Sequence, residues 1–423
     1  MIEANDPSLK SWINVKADSD FPIQNLPFGV FKEGNNLPRV GSIVGEKVID
    51  LHALMELGYL DNLNLPQGIF EQSELNPFIA LGKSITNTVR NKLSEIFCDD
   101  NPLLRDNPKD QEHILHQEGS VSMLMPIKVG DYTDFYSSEQ HAYNVGCMFR
   151  NPENALLPNW KHLPVGYHGR ASSIVVSGTP IHRPKGQMMK RGAVSPEFGP
   201  TQKLDFELEM AFITGKSTTL GESITTGNAK DFIFGFTLFN DWSARDVQGW
   251  EYVPLGPFLG KNFASAVSPW VVTLEALEPF KVPGPKQDPP VLDYLAYSGD
   301  SHYDINLEVF LKPEGEPESK LAGSNYKYLY WNILQQLAHQ TVNGCNINVG
   351  DLYASGTISG PTPDSYGSLL ELSWNGTKAL RLSNGEDRFF IEDGDSVILR
   401  GYGVRNGVRL GFGEVTNKIL KSK

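Results

Sequence analysis

The chain has 423 residues, 40% hydrophobic and 21% charged, which is ordinary for a soluble protein and enough apolar material for more than one core. A formal net charge of −13 disfavours nucleic acids and anionic membranes as partners. Three scattered cysteines (Cys98, Cys147, Cys345) form neither a disulfide framework nor a zinc spacing, which fits a reducing compartment. The opening "MIEANDPSLKSW" lacks the basic start and apolar run of a signal peptide, and no stretch approaches the ~20 apolar residues of a membrane span. A cytosolic protein is expected.

Along the chain, short β-like runs come first, at Phe28–Phe31, 40–45 and 47–51. A helix is then expected from Asn76, with Pro77 at its first position and a stripe of Phe78, Leu81, Ile85, Val89, Leu93 and Ile96. The polar stretch 98–120, with two Asn-Pro steps, reads as a linker. Residues 1–120 are therefore expected as a small N-terminal domain and 121–423 as a large one. In the second part β-like runs predominate: 172–178, 232–239, 268–277 and 305–311. Asn406-Gly407 signals a hairpin, and a helix is expected from Asn325 to about Gln340. The expected fold class is mainly β, or α+β.

Several short motifs carry nothing. "GKSTT" (215–219) has Met210 where a phosphate-binding loop needs its first glycine. "GTISG" (356–360) holds its serine one place late for a nucleophile elbow, and "HILH" (113–116) sits in the expected linker.

Three other segments carry chemistry. "KLDFELEMAF" (203–212) alternates apolar residues with Asp205, Glu207 and Glu209, the period-2 pattern of a strand. The acidic face is either plain solvated surface or the holder of a cation. "FIFGFTLFNDWSARDVQGWEY" (232–252) is an apolar strand ending at Asn240-Asp241, with Asp241, Arg245 and Gln248 spaced for one face of a short helix. Read blandly, that spacing is an Asp–Arg helix pair worth only ~0.3–0.5 kcal/mol. In "GDYTDFYSSEQHAYNVGCMFR" (130–150), Ser137 and Gln140 suit a capping box, so a helix is expected from Ser138 with His141 in its first turns. A histidine near a helix N-terminus is held neutral, as a general base must be, although a hydrogen-bonded core histidine would look the same. Asp134, Glu207, Glu209 and Asp241 could together form an all-oxygen site for a hard cation, calcium or magnesium rather than zinc.

At these residues the chain resembles the fumarylacetoacetate hydrolase family. The likeness begins at "DSDFPIQNLPFGVF" (18–31) and is densest in "GDYTDFYSSEQHA", in 151–181, in "LDFELEMAF", in "NDWSARDVQGWEYVPLGPFLGK" and in "GDLYASGTISG". The resemblance implies a small N-terminal SH3-like barrel, a large C-terminal mixed β-roll and a homodimer. It implies hydrolysis of the carbon–carbon bond of a β-diketo acid, 4-fumarylacetoacetate, to fumarate and acetoacetate, the last step of tyrosine and phenylalanine breakdown. Carried over motif by motif, it places metal ligands at Asp134, Glu207, Glu209 and Asp241 and a catalytic histidine at His141, partnered by Glu371 of "LLELSW". It places substrate contacts at Tyr136, Arg150, Tyr167, Gln248, Tyr252 and Thr357.

Chemistry agrees with this assignment. Cleaving a β-diketone with water needs a cation for the two oxygens, a base with an orienting partner, and donors for the developing charges. Arg245, Gln248 and Lys261 suit the last role, Arg150 suits a terminal carboxylate, and Asp205 is left as structural. One departure concerns a second cation, usually magnesium, expected near Asp241, Lys261 and Ser265. Here Asn262-Phe263-Ala264-Ser265 replaces Ser-Phe-Gly-Thr, and Ala264 lacks glycine's backbone freedom. Two alternatives stay open: an acylpyruvate hydrolase or oxaloacetate decarboxylase of the same superfamily, and a non-catalytic, calcium-stabilised scaffold.

Overall fold

The computed structural model describes residues 3–423. Gly29–Lys32, Arg39–Val44 and Lys47–Asp50 form an antiparallel meander, extended at its edges by Leu115–Gln117 and Ser122–Met123. The stretch 98–120 is therefore folded rather than a linker. Its two Asn-Pro steps start short helices, Pro102–Arg105 and Pro108–Ile114, with Asn101 and Asn107 accepting backbone N–H groups as caps. The expected helix from Asn76 is two helices, Asn76–Ile79 and Lys83–Phe97, because Gly82 between them takes φ +87°.

The larger part is built on two sheets. One is a mixed eight-stranded sheet in which Tyr132–Phe135, Leu352–Ala354, Leu208–Thr214, Ile233–Asp241 and Ser265–Val267 are consecutive neighbours. The other is five-stranded, centred on Asn306–Lys312 and the hairpin Ser396–Arg405/Val408–Leu420. Asn406 and Gly407 turn that hairpin with φ of 52° and 80°, as their sequence predicts. The fold is mainly β with short helices.

Other local expectations shift. Of 268–277 only Val272–Thr273 is strand. The expected helix from Asn325 begins at Ile333, capped by Asn332 in a capping box with Gln335, after a 3-10 turn at Tyr326–Tyr328. The helix carrying His141, Glu139–Phe149, is capped by Ser138 rather than Ser137.

Both faces of Leu208–Thr214 are buried. Met210 and Phe212 enter the main core of the larger part, whereas Ala211 and Ile213 join the core of the N-terminal sheet. The acids at 207 and 209 share the parity of Ala211 and Ile213, so they continue the face that the N-terminal region covers. Tyr132 and Phe239 pack on that face with ring centroids 5.4 Å apart, and Asp134 and Asp241 follow each of them by two residues. Three strands thus deliver acids to one end of one covered face.

Candidate metal centre and its His–Glu pair

One oxygen from each of Asp134, Glu207, Glu209 and Asp241 lies within 4.8 Å of the others, and all four residues are buried. The acidic run is interrupted where the chain passes from Leu204–Asp205 to Leu208–Thr214, and this interruption separates Asp205 from the cluster. Asp205 instead accepts Nε of Arg245 at 2.8 Å and the backbone N–H groups of Leu369 and Leu370 at 2.7 and 2.9 Å. Asp241 ends its strand, while Arg245 and Gln248 lie on the following helix, Arg245–Glu251.

The four acids are not equivalent. Glu207 is spanned by Arg245 Nη1 at 2.7 Å and Lys261 Nζ at 2.6 Å. Asp241 accepts Lys261 Nζ at 2.7 Å, the Tyr167 hydroxyl at 2.9 Å and the Ser265 hydroxyl at 2.8 Å. Glu209 accepts the Gly356 N–H at 2.9 Å through one oxygen. Its other oxygen, and Oδ1 of Asp134, are buried with no hydrogen-bond partner.

Electrostatics follow the contacts. Burial, then the charges of neighbouring acids, pushes Asp134 and Glu209 well above the ordinary carboxylate range. Burial would also raise Glu207, but Lys261 and Arg245 outweigh it and hold this carboxyl below its usual value. A buried acid left without partners costs several times an ordinary hydrogen bond, so two orphaned carboxylate oxygens facing an acidic cluster fit a hard cation.

Beside the cluster, His141 Nδ1 lies 2.6 Å from Glu371 Oε2. Burial would raise the Glu371 carboxyl, but the charge of His141 and hydrogen bonds from His141, Asn144 and Ser359 keep it low. An ionised carboxylate only accepts, so Nδ1 carries the proton and Nε2 is the basic nitrogen. Sequence reading missed Asn144, Ser359 and Ser368, which donate to Glu371 at 2.9, 2.8 and 2.9 Å. For Asn144 the available signal was its position three residues after His141 on one helix.

The remaining expected residues spread outward. The Tyr136 ring stands edge-on to His141, with centroids 5.3 Å apart. The Thr357 hydroxyl is buried and unpartnered. Arg245 Nη1 also donates to Gln248 at 3.3 Å, and its Nη2 is buried and free. Tyr252 ends the Arg245 helix half-exposed, and exposed Arg150 ends the His141 helix, donating to the Ala155 carbonyl. Among the described non-glycine residues only Leu26, Asn64, Trp374, Asn375 and Asn406 have positive φ, so Ala264 occupies a backbone that does not require glycine.

Fold and site together set a buried four-acid cluster, suited to a hard cation, and a His–Glu pair on a mixed β fold. Residues 132–420 match the family model "Fumarylacetoacetate (FAA) hydrolase C-terminal", and residues 24–126 match "Fumarylacetoacetase N-terminal". The chain belongs to the fumarylacetoacetate hydrolase family. It is 55% identical to a fumarylacetoacetase of Arabidopsis thaliana over 417 residues, covering 98% of this chain and 99% of that one. It is 52% identical to a fumarylacetoacetase of Homo sapiens over 412 residues, covering 97% and 98%. The solved fumarylacetoacetate hydrolase of Exiguobacterium antarcticum superposes with a TM-score of 0.54 at 18% identity, covering 94% of this chain and all of that one, and shares the fold.

Proposed function

We propose that this enzyme hydrolyses fumarylacetoacetate, cutting its carbon–carbon bond to give fumarate and acetoacetate, with calcium or magnesium at the four acids. The near-full-length identity to fumarylacetoacetases favours this reaction over the acylpyruvate, oxaloacetate and scaffold alternatives. The observation that carries the mechanism is a buried acid cluster with orphaned oxygens, one member of which, Glu207, feels the charge of the His141 paired with Glu371.

Asp134, Glu207, Glu209 and Asp241 would hold the cation, which when bound would supply charge for the diketone oxygens. His141 Nε2 takes a proton from water, and Glu371 steadies the imidazolium that results. The water oxygen bonds to the carbonyl carbon. The carbon–carbon bond then breaks, and its electron pair passes to the acetoacetate enolate, which takes the proton back from the His141 imidazolium. Arg245 offers its free Nη2 to the developing oxyanion, with Gln248 and Lys261 beside it. Tyr136, Tyr167 and Thr357 line the substrate's path, and Arg150 and Tyr252 close on it from the exposed rim.

Asp241, Lys261 and Ser265, whose hydroxyl already lies on Asp241, would hold a second cation, magnesium, through carbonyl or hydroxyl oxygens. The chain works as a cytosolic homodimer. Val253, Leu255 and Phe258, exposed just beyond the Arg245 helix, support a partner surface. No helix among the described residues is long and apolar enough to cross a membrane.

The test is the loss of fumarylacetoacetate absorbance on adding the protein, before and after chelation. Turnover that chelation stops and calcium or magnesium restores supports the reading, whereas no turnover by folded, metal-replete protein overturns it.

A further inference from the structure

Glu371 is held by more than its histidine. Its Oε2 receives three donors: His141 Nδ1, the Ser359 hydroxyl and the Ser368 hydroxyl. Its Oε1 receives Asn144 Nδ2 at 2.9 Å. His141 and Asn144 are three residues apart on Glu139–Phe149, so their side chains leave the same helix face. The two oxygens of one carboxylate therefore grip two neighbouring side chains of one helix. A glutamate carboxylate rotates broadly about its last torsion, and three donors on a single oxygen do not fix the plane of the group. Asn144 supplies the second point. Its orientation follows from its partner, because an ionised carboxylate accepts and the amide must present NH₂.

We propose that Asn144 is a positioning residue for the hydrolysis: by holding Oε1 it keeps Oε2 aimed at His141 Nδ1, and so keeps Nε2 as the nitrogen that takes the proton from water. Its side-chain amide donates to Glu371 and not to any of the four clustered acids, so it works through that carboxylate. Removal of such outer partners typically lowers activity ~10–100-fold. The inference rests on the reading of His141 as base.

The experiment compares Asn144→Ala, His141→Ala, Glu371→Gln and the Asn144→Ala/Glu371→Gln double variant, all calcium-loaded. For Asn144→Ala the expected result is a fall in kcat of ~10–100-fold with KM within about twofold of the starting protein. The far-downfield proton resonance of the His141 Nδ1–H should also move or broaden. In the Glu371→Gln background the same substitution should cost under a third as much on a logarithmic scale. A lowered melting temperature with unchanged kcat per folded site and an unmoved resonance would make Asn144 a structural residue and overturn the inference. A full-size loss in the Glu371→Gln background would overturn it too. Should Asn144→Ala not fold, Asn144→Asp keeps the volume and replaces the donor by an acceptor, and native kcat in that variant overturns the inference. His141→Ala separates the two readings: if it retains turnover the base assignment fails, and if it alone loses turnover the Asn144 assignment fails.

Discussion

Two sets of buried carboxylates lie side by side in this site, and the fold satisfies them in opposite ways. Glu371 receives four side-chain donors and stays ionised with the protein's own groups. Asp134 and Glu209 keep oxygens with no donor at all, and their protons are bound correspondingly tightly. Counting Asp205, the cluster and its surroundings hold five acids against two bases, Arg245 and Lys261. With all five ionised the excess is three negative charges, of which a divalent cation would offset two. The carboxylate beside the histidine is thus saturated by protein, whereas two of the four clustered acids, Asp134 and Glu209, are left short of partners.

The sharpest way to break that comparison is to remove the proton acceptor. His141→Ala should lower kcat at least ~100-fold, the lower end of what a positioned base contributes, while calcium binding measured by calorimetry is nearly unchanged. Next in size, Glu209→Gln removes one charge from the under-partnered side. Calcium affinity should fall by more than the ~10–100-fold typical of losing an outer-shell partner. Turnover should recover as calcium is raised, and unchanged affinity would remove Glu209 from the ligand set.

Much of this was legible before the structure. Period-2 spacing put Glu207 and Glu209 on one face, and an acid at the end of an apolar strand marked Asp241. Asp205 was already set apart as structural, but its partners were not legible, because Leu369 and Leu370 lie more than 160 residues away in sequence. Asn101-Pro102 and Asn107-Pro108 misled for a different reason. The same dipeptide that ends one element also caps and starts the next, and only packing decides which. Gly82 split a helix whose apolar stripe ran on through both halves, since the stripe reports burial and not backbone continuity.

Acidity offers a third test, and its sign differs for the two sets. Asp134 and Glu209 hold protons more tightly in the folded, cation-free protein than in the unfolded chain. Folded protein then binds more protons above pH ~4, so its stability falls as pH rises from there towards the raised values. Glu371 is shifted the other way, so its contribution is present above its unfolded value and lost as pH falls through the lowered one. Chelated protein should therefore lose melting temperature as pH rises above ~4, and added calcium should restore progressively more of it as pH rises. A calcium effect of constant size over that range would mean that the acids are already neutralised by the protein.

The smallest effect is expected at Asp205, the acid that resembles Glu371 in being saturated by protein although its sequence neighbours belong to the acidic cluster. Its carboxylate ties Arg245 to the first N–H groups of Leu369–Leu372, the four-residue helix that carries Glu371. So short a helix does not hold itself, and the acid at its N-terminus supplies part of what fixes it. Asp205→Asn keeps the size and one acceptor oxygen but sets an amide against a donor and removes one of the two charges facing Arg245. Glu207 still faces that guanidinium, so the cost should be ~1–3 kcal/mol in a denaturant melt rather than loss of the fold. Calcium stoichiometry should be unchanged, because Asp205 lies outside the cluster of four acids. A fall in calcium affinity as large as that of Glu209→Gln would place the third acid of the strand back with the first two and erase the distinction between the two sets.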